Sequence, residues 1–182
     1  MLRIIRLLTK SVMRKIALPK MDPEIEGLVV SPGGVATTMV MEHLARYCQI
    51  NDPHDRDGLK HLPRPPKAME RRRVPKVLFI AGDKDMVIAS LQRRGWLRVQ
   101  AARLACPSAV IMPPMFLKRS FARSVKRQRR NWEMMSPQNI LFVEFQDIWE
   151  RLPDIADHFG IAESDFVATF PSRRPRQANQ LQ

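Results

Sequence analysis

Residues 27–44 begin with an apolar run, Gly27-Leu28-Val29-Val30. A turn follows, Ser31-Pro32-Gly33-Gly34-Val35-Ala36, and then Thr37, Thr38 and a helical pattern. Strand, glycine loop and helix start, in that order, suit anion binding. Glycine lets the backbone bend and approach a ligand closely. The first N–H groups of a helix have no intrahelical partner and lie at the positive end of its dipole, so they attract phosphate or sulfate. The hydroxyls of Thr37 and Thr38 add donors. The same residues also serve an ordinary strand-to-helix turn with a threonine N-cap. The loop is not a Walker A sequence, because the lysine of GxxxxGK[ST] is missing.

A second concentration of reactive side chains lies in residues 50–75. Asp52, His54, Asp55, Asp57, Lys60 and His61 crowd a stretch interrupted by Pro53, Pro63, Pro65 and Pro66. Proline blocks long helices, so this stretch reads as a loop, and loops of this length are often functional. Its spacing matches no metal-ligand set, and no metal is expected. Cys48 and Cys106 are far apart. They offer neither a disulfide framework nor a metal pair, which fits a reducing compartment.

The elements that must position these residues follow from hydropathy. Gly27–Val30, 77–81 and 140–145 are continuous apolar runs, as expected of strands buried on both faces. Helical patterns cover 36–49, 86–106, 115–133, 146–159 and a short 165–170, with Asp83 or Asp85 as a cap for the second and Gly160 as a stop. His43 falls on the surface of the first of these helices. Strands alternating with helices mean an α/β fold with a central parallel sheet. Residues 1–20 read as a basic amphipathic helix with Arg3, Arg6, Lys10 and Arg14 at helical spacing, residues 21–170 as one α/β domain, and residues 171–182 as a polar, basic, frayed tail. The helix at 1–18 suits either packing on the domain or peripheral contact with an anionic membrane. It lacks the long apolar core of a secretory signal.

The 182 residues carry a net charge of +13. That balance implies an anionic partner. Arg119, Arg123, Lys126, Arg127 and Arg130 form a stripe along 115–133, alongside the arginine run at 71–73. Nucleic acid is disfavoured: charge alone supports it, and no aromatic-rich strand of an RNA-binding sheet is present. No run of 18 or more apolar residues occurs, so no transmembrane helix is expected. The expected location is cytoplasmic, free or peripheral to the inner membrane face.

Three segments together resemble the sulfotransferases that use 3′-phosphoadenylyl sulfate. The loop Ser31-Pro32-Gly33-Gly34-Val35-Ala36-Thr37-Thr38 is similar to the family's 5′-phosphosulfate loop. Gly82-Asp83-Lys84-Asp85-Met86-Val87-Ile88-Ala89-Ser90 resembles its 3′-phosphate motif, with Asp83 and Ser90 in register. Ile140 to Ile148 and His158-Phe159-Gly160 are similar to a third strand, turn and helix. The resemblance covers about residues 27–161. It implies a three-layer α/β/α fold of the P-loop nucleoside triphosphate hydrolase type. It also implies transfer of a sulfuryl group from 3′-phosphoadenylyl sulfate to a hydroxyl of a glycan or similar, often anionic, acceptor.

Gly33, Gly34, Val35, Ala36, Thr37, Thr38, Ser90 and Arg93 would then hold the nucleotide. His61 would be the general base, with His54 and Asp57 behind it, and Lys60 would face the leaving group. The chain departs from the pattern where the family's loop cation is Gly33, its loop glycine is Val35, its second-motif arginine is Gly82 and its proline is Lys84. Lys60, Lys84, Arg93 and Arg94 are the available substitutes. The alternative is a non-catalytic relative that binds a polyanion or a protein through its basic surface.

Overall fold

A computed structural model of the chain describes residues 2–66, 75–134 and 139–173. The arginine run at 71–73 and the tail from 174 onward lie outside the described residues. Helix α1 spans Leu2–Ile16, strand β1 Gly27–Val30, helix α2 Thr37–Leu44 and strand β2 Lys76–Ala81. Helices α3 (Lys84–Arg93), α4 (Leu97–Arg103), α5 (Pro107–Ile111) and α6 (Pro114–Glu133) follow. Strand β3 (Ile140–Glu144), a 3₁₀ turn at Phe145–Asp147, and helices α7 (Leu152–Phe159) and α8 (Glu163–Ala168) complete the order.

The three strands are parallel and lie in the order β1-β2-β3, with Val30 opposite Phe79 and Phe79 opposite Phe142. Side chains alternate across a strand, and the sheet divides its apolar residues accordingly. Val29, Leu78, Ile80 and Val143 join Met41, Leu44, Val87, Leu91, Ile155 and Phe166 in the larger cluster. Leu28, Val30, Val77, Phe79 and Ile140 join Leu59, Leu62 and Trp132 in the smaller one. Burial on both faces is why β1 and β2 read as unbroken apolar runs; β3, at the sheet edge, is partly exposed.

The covering of the two faces departs from the expected helix layers on both sides. A strand order that always steps the same way, with right-handed crossovers, places the connecting helices on one face. Residues of α2, α3, α7 and α8 accordingly share the larger cluster. The opposite face is closed by Leu18, Met21, Ile25, Leu59 and Leu62, which lie outside the helices, and by Trp132 of α6. The α/β class holds, while one outer layer is mostly loop.

Several helices are shorter than their patterns suggest. The expected helix at 86–106 is broken at Gly95, whose φ of +65° is a left-handed stop, leaving α3 and α4. Asp83 caps α3, its carboxylate accepting from the amides of Asp85 and Met86 at 3.0 Å each. Gly160 ends α7 with φ +72°, as its sequence position suggests. Helix α1 packs against α4 and α5, with Ser11 and Arg14 buried. The Arg14 guanidinium donates to the carbonyls of Gly58 (2.7 Å), Arg103 (2.9 Å) and His61 (3.3 Å). One buried arginine thus ties the first helix to the long loop and to α4.

Candidate anion-binding cleft

The loop after β1 is held by Ser31, which is fully buried. Its hydroxyl accepts from the Gly33 amide at 3.2 Å and from the Thr37 hydroxyl at 2.7 Å. Gly33, Gly34 and Ala36 have φ of 90°, 80° and 49°. Left-handed steps in a turn are a backbone feature of anion nests, and Gly33, Gly34 and Ala36 all border one cavity. A Cβ on Gly33 would lie 2.9 Å from Gln100 Cδ, so glycine is required there on two counts. The amides of Gly34, Val35, Ala36, Thr37 and Thr38 donate to no protein group among the described residues. The threonine N-cap is not formed. Ala36 occupies that position without a side-chain bond, because the Thr37 hydroxyl is directed to Ser31.

Facing the loop is Lys60, brought in by the proline-rich segment. Its Nζ donates to Thr38 Oγ1 and to the Pro53 carbonyl, each at 2.6 Å. Burial lowers its pKa, and Arg103 adds to the effect against the pull of Asp55. From α3, the Arg94 guanidinium donates to Ser90 Oγ at 2.8 Å and to the Ser90 carbonyl at 3.1 Å, and lies over the Trp96 ring at 5.7 Å. From α4 come Gln100 and Arg103. The Gln100 side chain is 1% exposed and its Nε2 has no partner. Arg103 Nε lies 3.2 Å from Asp55 Oδ2 without hydrogen-bond geometry. Burial raises the Asp55 pKa, against the pull of Arg103, Arg14 and Lys10. These groups line one cavity of about 400 Å³.

Of the residues singled out in the sequence, Gly33, Gly34, Ala36, Thr37, Thr38, Ser90, Lys60 and His61 all border this cavity, as does His54. Val35 does not. It is buried, and its Cγ1 lies 2.5 Å from where a Cβ on Gly82 would stand. Arg93 does not line it either; the next residue, Arg94, turns inward instead. Lys84 is exposed beside Asp85 at 3.8 Å, outside the lining. His43 is buried rather than on the helix surface: its Nε2 lies 2.9 Å from the Phe166 carbonyl, with the Phe166 and Phe170 rings edge-on. His61 sits at the inner wall, its Nδ1 donating to the Ser31 carbonyl at 2.9 Å. Burial, with Arg103, Lys60 and Arg14 nearby, lowers its pKa to about 3. The imidazole is therefore neutral and weakly basic at pH 7, and it fixes the loop that bears Ser31.

Trp96, Gln100 and Arg103 are lining residues that sequence reasoning missed. A signal existed for them: 96, 100 and 103 are spaced to share one helical face. Asp55 stands out in the sequence only as one of the crowded loop residues; its φ of +61° and its ion pair with Arg103 are tertiary facts.

No family model, curated protein or solved structure matches the chain. The shape and donor set of the cleft therefore carry the functional reading.

Proposed function

We propose that this cleft binds a nucleotide carrying phosphate and sulfate, and that the protein is a sulfotransferase-like enzyme. In this reading it moves a sulfuryl group from 3′-phosphoadenylyl sulfate to a hydroxyl, on a glycan or similar acceptor. The observation that carries it is the donor set. Gly34, Ala36, Thr37 and Thr38, whose amides have no protein partner among the described residues, border one cavity with Lys60, Ser90, Arg94, Arg103 and the unsatisfied Gln100 amide. Asp55 is the one carboxylate among them, and Arg103 pairs it.

This set fits a ligand rich in anionic oxygens. It also answers the departures from the family pattern, since Lys60 and Arg94 supply cations where Gly33 and Gly82 have none. The loop amides and Lys60 would take the 5′-phosphosulfate, and Ser90 with Arg94 the 3′-phosphate. Bound there, the nucleotide supplies the sulfuryl group. Lys60 neutralises negative charge that grows on the departing phosphate, the main contribution expected of such a site. His61, held neutral, positions the loop, and His54, exposed at the rim, is the group placed to accept the acceptor's proton.

Calorimetric titration with adenosine 3′,5′-bisphosphate tests the reading. The expected result is saturable binding that Lys60→Met, Ser90→Ala and Arg94→Gln each weaken about tenfold or more, the value of a hydrogen bond to a charged group. Absence of binding, or binding indifferent to all three changes, would overturn it. The second reading, polyanion binding without catalysis, would then stand on the α6 stripe. There Arg119, Arg123, Lys126 and Arg130 are exposed, and no acidic group pairs with them among the described residues.

A further inference from the structure

Helix α1 uses only one side to pack on the domain. At about 100° of rotation per residue, Leu7, Ser11 and Arg14 fall on the buried side. On the far side Leu2, Ile5, Val12, Met13 and Ile16 fall within one arc, and they are 74%, 52%, 39%, 55% and 71% exposed. A helix of a globular protein normally buries its apolar residues; this one packs Leu7 and Leu8 against the core beside the buried Ser11 and Arg14, and leaves a second apolar stripe outside. The exposed surface does not end with α1. Ile4 and Leu7 line an apolar cavity of about 330 Å³ with Leu97, Pro114 and Leu117. Beside that cavity, at the start of α6, Met115 and Phe116 are 77% and 54% exposed, and at the end of α5, against which α1 packs, Ile111 is 61% exposed. Three neighbouring elements, α1 against α5 and α5 against α6, thus each carry uncovered large apolar side chains, more than the scattered apolar residues of an ordinary surface.

The charges around this face point to its occupant. Arg6, Lys10 and Lys15 are exposed beside the α1 stripe, Lys118 and Arg119 are exposed just beyond Phe116, and α1 contains no acidic residue. A second copy of the chain seated on this face would bring two basic rims together within a molecule already at +13, a like-charge cost. An anionic bilayer offers apolar depth for the side chains and negative headgroups for the rim, the pairing that holds interfacial helices. We propose that α1, with the α5–α6 junction, docks this protein on an anionic phospholipid surface. The inference does not rest on the nucleotide cleft.

The test is flotation of the full chain with vesicles of phosphatidylcholine and phosphatidylglycerol, against vesicles of phosphatidylcholine alone. The expected result is partitioning onto the anionic vesicles that high salt reduces. The paired change Ile5→Asp with Met13→Asp should lower it about tenfold or more, given the apolar area removed. Arg6→Gln with Lys15→Gln should lower it on anionic vesicles only. These positions are exposed, and matching thermal melts will establish that the variants fold; the salt dependence of the unaltered chain is a readout that needs no variant. Absence of partitioning, equal partitioning onto neutral vesicles, or partitioning unmoved by the paired aspartates would overturn the proposal. So would a concentration-dependent dimer in light scattering that the paired aspartates abolish, since that outcome gives the face to a second copy.

Discussion

At Gly82 a Cβ atom would stand 2.5 Å from Val35 Cγ1, a distance no side chain tolerates. The valine in the loop after β1 and the glycine after β2 therefore depend on each other. Val35 fills the space over Gly82, and an arginine at 82 is sterically excluded while Val35 is present. The cations of the cleft come instead from Lys60 and Arg94. Gly82→Ala is expected to destabilise the fold by about 1–3 kcal/mol, the usual cost of overpacking, read as a lower midpoint in urea unfolding. Val35→Ala in the same chain should recover most of that loss. A neutral Gly82→Ala, or a double variant no better than the single, would show that the two positions are not coupled.

Among the elements, α1 and the long loop share one fastening. Arg14 reaches from the last turn of α1 to the carbonyls of Gly58, His61 and Arg103; Gly58 and His61 bracket Lys60 in sequence. Three backbone acceptors and a buried guanidinium make this a costly bond set to break, because the carbonyls left behind are buried or half-buried. Arg14→Met is expected to cost about 2–4 kcal/mol and to expose α1 to limited proteolysis. It should also weaken adenosine 3′,5′-bisphosphate binding severalfold, through the position of Lys60. Full nucleotide affinity in a variant whose α1 is readily cleaved would separate the two elements. The short helices have a local cause: α3 stops at Arg93, ahead of the left-handed Gly95, and a new helix begins at Leu97, a break that lets Trp96 and Gln100 border the cleft.

For the molecule as a whole, three buried or half-buried histidines contribute to the response to acid. His61 has its pKa lowered to about 3 from an ordinary 6.5, and His43 and His158 are also lowered, in each case first by burial. Between about pH 6.5 and 3 the unfolded chain binds a proton at position 61 that the folded chain refuses, so stability falls as pH drops through that window. Above pH 6.5 both states are neutral there and the contribution is constant. The slope for His61 alone approaches ~1.4 kcal/mol per pH unit. Denaturant unfolding between pH 7 and 5 should show this fall, and His61→Gln should flatten it. A profile as steep in the variant as in the parent would assign the acid response to other groups.

The α/β class, the three apolar strands, a cap at Asp83 or Asp85, the stop at Gly160 and the loop residues Gly33, Gly34, Thr37 and Thr38 are legible in the sequence. Those are local matters: hydropathy runs, glycine conformation and capping are written within a few residues of where they act. Ser90 comes only with the sulfotransferase resemblance, and Lys60 stands out as a cation in a proline-rich loop. Packing settled what is left. It set Arg94 rather than Arg93 in the cleft, removed Val35 from the lining, and buried His43 and His61. Orientation of this kind depends on which helix face meets the sheet. The single-direction strand order, which leaves one sheet face to loops, and the uncovered apolar side of α1 are likewise tertiary. Periodicity shows that a helix has an apolar face, whereas only the packing of Ser11 and Arg14 against the domain shows that this face is left outside.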